Sequence, residues 1–238
     1  MECEFMYSYE SRAPEPTYTD LGIATTRIGG GVALAMRNDP SGGYWSKALG
    51  FGITEPFTVQ VLDRVLDFYR EHRVDQAVLQ LVPSVLPTGF DGIAAAHGLE
   101  PGSTWIKLGG RPGDVTAAQT RLRVGPVPAA EARRWADMLL SAFGMPAGGL
   151  TAMLAATVGE PAWRPYAAWD DGDLVAGGNL FLHGESASLN AAATAPGHRG
   201  LGAQSALIAA RARPPPTRDA GGCSPRPGNP RPVSRTRP

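Results

Sequence analysis

Apolar positions along the chain change period several times, and each change marks an element. Between Ile28 and Met36, Val32, Leu34 and Met36 alternate with smaller residues at the two-residue period of a strand. The turn-rich run from Asn38 to Gly43 separates it from a second apolar stretch, Trp45 to Ile53. From Phe57 the period lengthens: Val61, Leu62, Val65, Leu66, Phe68 and Tyr69 recur three and four apart with charged residues between them, which predicts an amphipathic helix. Thr54 or Glu55, just ahead of Pro56, fits its start, because a first-turn proline gives up an N–H that would be unpaired anyway. Strand, helix and strand follow over Gln76–Val82, Asp91–His97 and Thr104–Leu108. Residues 111–120 read as a linker. A second unit then opens, with a strand at Leu122 and Val124 and helices over Ala129–Phe143 and Leu150–Val158. Strands Arg164–Trp169 and Leu174–Leu182 are joined by Asp170-Asp171-Gly172-Asp173, a hairpin signal. A third strand, Ser186–Thr194, runs through a Gly-containing loop into a helix over Ala203–Arg213. Residues 1–27 lack such periodicity and contain Pro14 and Pro16, so they read as a flexible arm.

Composition changes this picture at one end. Over the 238 residues, Lys+Arg and Asp+Glu are 22 each, which hides an uneven distribution. Residues 214–238 hold eight Pro and five Arg against one Asp, a local charge of +4, so the remainder carries −4. The tail has no Leu, Ile, Phe, Met, Tyr or Trp and cannot bury enough apolar surface to offset its ordering entropy, which predicts disorder. An acidic body has no global attraction for nucleic acid, and the Arg run has no aromatics to stack on bases. No apolar run reaches the ~20 residues of a membrane span, and Met1–Asp20 has no apolar stretch of the signal-peptide kind. A cytoplasmic protein is expected. Cys3 and Cys223, alone and far apart in sequence, offer neither a disulfide framework nor a cysteine metal site, and no metal is expected.

The segment that carries chemistry is Leu189–Arg211: a strand, a turn opened by Arg199, and a helix directly after Gly202. The first N–H groups of a helix have no intrahelical partners, and the peptide dipoles place roughly half a positive charge there. Gly200 and Gly202 carry no side chain to block a phosphate. On spacing alone, an Arg-Gly-x-Gly turn is also ordinary punctuation between strand and helix. The run Ala193-Thr194-Ala195-Pro196-Gly197-His198-Arg199-Gly200-Leu201-Gly202-Ala203-Gln204-Ser205, together with the element order before it, resembles the coenzyme A pyrophosphate loop of the GNAT superfamily of N-acetyltransferases. The resemblance covers about residues 121–213. In that family an Arg or Gln opens the loop, here Arg199, and Gly holds the fourth position, here Gly202. The sixth, commonly Gly or Ala, is Gln204.

The resemblance implies an α/β (α+β) fold, three-layered, with a mixed, mainly antiparallel central sheet and flanking helices in two related halves. It implies acetyl-CoA as cosubstrate, held by Ala192, Ala193 and Thr194 of the strand and by Arg199, Gly200, Leu201, Gly202, Ala203, Gln204 and Ser205 of the loop and helix. The acceptor is a small-molecule or peptide amine that attacks the thioester directly. For a base the sequence offers Glu185, in the His183-Gly184-Glu185-Ser186 turn, acting through a water; its plain reading is a solvated turn carboxylate. His183 reads as a strand end and His198 as a loop position.

Residues 28–110 read as a degenerate copy of the same fold. Leu49–Pro56 stands where the loop belongs, with no Arg or Gln opening and with Glu55 beside the phosphate position; a coincidental α/β unit is the alternative. After the loop helix the family continues with further strands, whereas this chain continues with Pro214-Pro215-Pro216. Arg outnumbers Lys by 20 to 2, which points to a GC-rich gene, and a frame shift near Arg213 is one explanation; an alternative frame permits an apolar strand there. The expected outcome is an acetyltransferase with impaired catalysis, or a coenzyme A-binding pseudoenzyme or remnant.

Overall fold

The computed structural model of the protein describes residues 1–116 and 119–213. The tail expected to be disordered, residues 214–238, lies outside the described residues, as do two residues of the expected linker.

The N-terminal segment departs from the sequence reading. In place of a flexible arm it forms helix α1 (Glu2–Ser11), helix α2 (Glu15–Leu21) and strand β1 (Ile23–Ile28). Pro14 does break the chain's path, but Pro16 falls in the first turn of α2, where its missing N–H costs no bond. α1 shows little helical periodicity because it packs on β1, on the following strand and on a helix of the second half. Met6 and Tyr9 are each 3% exposed, and Leu21 is buried with them.

β2 (Gly31–Met36), β3 (Lys47–Leu49), α3 (Val59–Glu71), β4 (Val78–Gln80) and α4 (Phe90–Ala96) complete the first half. The sheet order is β1-β2-β3-β4, antiparallel except for the parallel β3–β4 pair. Every β2 residue is buried, because its two faces serve different cores. Val32, Leu34 and Met36 face α1, whereas Ala33 and Ala35 face α3. The small alanines let α3 approach closely. α3 begins later than predicted: the Thr58 hydroxyl accepts the Val61 N–H, which makes Thr58 the cap and leaves Pro56 outside the helix. No strand forms over 104–108. Trp105, Ile106 and Leu108 are 53%, 83% and 93% exposed, and an alternating pattern without a pairing neighbour does not make a strand.

In the second half, β5 (Arg123–Pro126), α5 (Ala132–Phe143), α6 (Gly149–Ala155), β6 (Trp163–Asp170), β7 (Asp173–His183), β8 (Ser186–Thr194) and α7 (Ala203–Ala212) follow in order. The sheet is antiparallel, β5-β6-β7-β8. The predicted hairpin turns on Asp171 and Gly172, both at positive φ, as a two-residue turn of right-twisted strands requires. The architecture is thus mixed α/β, with two four-stranded sheets and seven α-helices among the described residues. None of these helices is long and apolar enough to cross a membrane.

One element order occurs twice: helix, helix, three antiparallel strands, helix, as α1-α2-β1-β2-β3-α3 and α5-α6-β6-β7-β8-α7. The largest core joins the halves, with Met6, Tyr9, Leu34 and Met36 from the first meeting Trp135, Leu139, Leu150, Trp163 and Phe181 from the second. Glu10 is fully buried near this core, and neither carboxylate oxygen has a hydrogen-bond partner among the described residues. Burial raises its pKa well above the ordinary carboxylate range; Asp39 adds to the rise and Lys47 opposes it. The folded protein therefore binds a proton that the unfolded chain releases as pH passes about 4.5, so this group makes stability fall as pH rises. Glu10→Gln is expected to stabilise the protein at pH 7 and to flatten that decline. Urea unfolding of both proteins at several pH values between 5 and 8 checks this, and parallel profiles would refute it.

Candidate functional site

The β8–α7 connection is built by strand register, turn geometry and helix docking acting together. Ala195 N–H donates to the Val175 carbonyl at 2.8 Å, which continues the ladder one residue past β8. Hydrogen-bonded and open positions alternate in an antiparallel pair, so Thr194, opposite Ala176, turns its backbone groups toward the outer edge of β8. That edge has no neighbouring strand among the described residues. Three residues earlier the register slips: Ala191 and Ala192 stand against Gly178 alone, with Ala191 at φ 47°, a bulge that bends the strand and breaks its ladder.

Beyond β8, Pro196–His198 forms a 3₁₀ turn that uses the N–H groups of His198 and Arg199. Gly200 (φ 80°) and Gly202 (φ 77°) then take the left-handed conformation that ordinary side chains resist, and Gly202 caps α7. Among the described residues, no protein acceptor meets the N–H groups of Gly200 through Ser205; the first helical bond is Ala206 N–H to the Gly202 carbonyl. These donors lie at the positive end of the α7 dipole.

Side chains hold the loop around them. The Thr120 hydroxyl donates to the Leu201 carbonyl at 2.7 Å, and Gln204 Nε2 donates to the Thr194 hydroxyl at 2.9 Å. Ala203 and Leu207 bury against Ala168, Val175 and Ala176 and seat α7 on the sheet. Arg199 is exposed, with Nε 3.5 Å from the Thr194 carbonyl, and is the cation nearest the free donors in sequence. On the loop's other flank Asp170 is engaged by Arg121 at 2.6 Å and faces His198 Nε2 at 3.8 Å. The arrangement suits a phosphate-bearing ligand whose extended arm lies along the β8 edge.

The candidate residues therefore divide. Ala192, Ala193, Thr194, Arg199, Gly200, Leu201, Gly202, Ala203, Gln204 and Ser205 fall within one strand–loop–helix corner. Glu185 does not join them. It is exposed at the β7–β8 hairpin tip, seven residues from Ala192 and so roughly 20 Å away along the strand. His183 is at the same tip, with its ring stacked on Phe181 at 6.4 Å.

The sequence reading missed the polar groups on both faces of the bulge. Tyr9 donates its hydroxyl proton to Asn190 Oδ1 at 3.0 Å and accepts from Asn179 Nδ2 at 3.1 Å. Asn179 Nδ2 also lies 3.3 Å from the Thr157 hydroxyl. From the opposite face, Arg211 Nη1 donates to the Asn179 carbonyl at 2.8 Å and reaches the Asn190 carbonyl at 3.5 Å. Asn179 left one signal, as a lone amide inside the apolar run of β7. Tyr9 left none.

The matching connection in the first half, residues 50–58, is closed. Phe51 is buried, and a Cβ on Gly52 would lie 2.5 Å from Val85 Cγ2. The first-turn N–H of Val61 is already taken by Thr58. Bulky side chains thus fill the approach to this connection, and it has no cation in the place Arg199 takes in the second half.

No protein-family model and no curated protein matches the sequence. Among solved structures, the chain is similar to a GCN5-related N-acetyltransferase from Kribbella flavida, at 18% identity and a TM-score of 0.51, over 86% of this chain and 78% of that one. At that identity the likeness is one of fold, and the fold is GNAT-like.

Proposed function

We propose that the protein is a GNAT-type acyltransferase that uses acetyl-CoA to acetylate a primary amine on a small molecule or peptide. The observation that carries the reading is the row of unpartnered N–H groups from Gly200 to Ser205, lying between Arg199, the open edge of β8 and the N-terminus of α7. These donors and Arg199 suit the pyrophosphate, and the outward backbone groups of Thr194 suit the amides of the pantetheine arm. The GNAT-like fold supports the assignment. In the reaction the amine nitrogen bonds to the acetyl carbonyl carbon as the carbon–sulfur bond breaks. The amine gives up a proton and the departing thiolate takes one. The repeated element order supports a duplicated ancestry in which the first half has become structural.

A second reading, a coenzyme A-binding protein without transferase activity, is favoured by the exposure of Glu185. The one carboxylate the sequence offers as a base is a solvent-exposed residue of the β7–β8 turn. Release of free thiol from acetyl-CoA in the presence of polyamines, aminoglycosides and lysine peptides separates the two. Turnover on the order of 1 per second with any of them supports the enzyme. Saturable coenzyme A binding with no thiol release across the set supports the binder.

A further inference from the structure

We propose that Tyr9, supplied by the first half, is a positioning residue for the cofactor strand of the second, clamping the β8 bulge against Arg211 on the opposite face of the sheet. The inference rests on the coenzyme A reading of the β8–α7 corner.

A bulge leaves part of its ladder unmade, and a strand so interrupted slips register unless something holds it. Here both faces are held. On one, Tyr9 bridges Asn179 and Asn190, a cross-strand pair immediately before the slip, and Thr157 shares the Asn179 amide. Asn179 is 0% exposed and Tyr9 3%, so water does not compete for these bonds. On the other face, Arg211 lies so close over Gly178 that a Cβ there would sit 2.5 Å from Nη1. It supplies donors to the carbonyls of the same Asn179–Asn190 pair. Arg211 is 2% exposed and has no carboxylate partner among the described residues, and burial lowers its pKa to about 10. Such a group is costly to bury, and the carbonyls it satisfies are the compensation. Together the two clamps fix where Ala191–Thr194 lies, and with it the edge offered to the pantetheine arm. The first half thereby contributes to the site of the second.

The test uses two variants of the full chain that remove hydrogen bonds between the halves, two in Tyr9→Phe and one in Ser8→Ala. Tyr9→Phe keeps the ring packed against Trp163, 4.3 Å between centroids, and removes only the hydroxyl. Ser8→Ala removes the acceptor of the Trp163 indole N–H, a 3.0 Å bond that does not touch β8. Tyr9→Phe is expected to speed amide exchange over residues 191–194 and to weaken coenzyme A binding, each by about tenfold, ~1.4 kcal/mol, within what the loss of its two buried hydrogen bonds supplies. Ser8→Ala is expected to change neither. Equal behaviour of the two variants, or faster exchange in Tyr9→Phe with unchanged affinity, overturns the clamp as a positioning device. A wild type that binds no coenzyme A overturns the acyltransferase reading instead, and the exchange comparison alone then decides whether the clamp exists.

Discussion

Deleting residues 1–21 is expected to abolish cooperative folding rather than trim a loose end. Met6, Tyr9 and Leu21 are at most 7% exposed and lie in the core that joins the halves, against Trp163, Phe181, Leu150 and Met153. Each such side chain contributes about 1.5–3 kcal/mol on burial. Three of them approach the whole net stability of an ordinary domain, about 5–15 kcal/mol. The deletion also removes the outer cover of Val32, Leu34 and Met36, and it strips Asn179 and Asn190 of their shared phenol. A thermal melt followed by near-ultraviolet circular dichroism reads the outcome. The expected result is loss of a sharp transition, or a midpoint lowered by more than about 10 °C. A variant melting within about 3 °C of the full chain would mean that the helices are peripheral.

The second large effect concerns the loop. Arg199→Glu replaces the cation beside the free N–H row by an anion while leaving every backbone donor in place. The residue is exposed, and among the described residues its side chain makes one hydrogen bond, the long 3.5 Å contact to Thr194, so the fold does not depend on the guanidinium. Against a doubly charged pyrophosphate the exchange converts attraction into repulsion, and affinity for coenzyme A is expected to fall about a hundredfold at low salt. The gap between wild type and variant is expected to narrow at higher ionic strength, because an exposed charge is screened within about 8–10 Å. An unchanged melting temperature distinguishes this loss from unfolding.

What the sequence disclosed follows from how local each determinant is. The faces of α3 and α5, the Asp171-Gly172 hairpin and the Arg199–Gly202 loop are set by neighbours within a few positions, and all were visible as spacing. α1 was not, because it is buried from several sides and carries Glu10 where a periodic helix would place an apolar residue. The 104–108 segment misled for the opposite reason: alternation specifies two faces, whereas a strand also needs a partner for its edge. The bulge and its clamp were out of reach, since Tyr9 and Asn190 are 181 positions apart and only the folded arrangement brings them together. The place of Glu185 in an exposed turn is legible in sequence, whereas its distance from the loop depends on the length of β8.

Calorimetric titration of coenzyme A into the wild type and Arg199→Glu decides whether the β8–α7 corner holds coenzyme A. Saturable one-to-one binding to the wild type, weakened about a hundredfold in the variant, is expected. No saturable heat with the wild type, or equal affinity in both proteins, would contradict it.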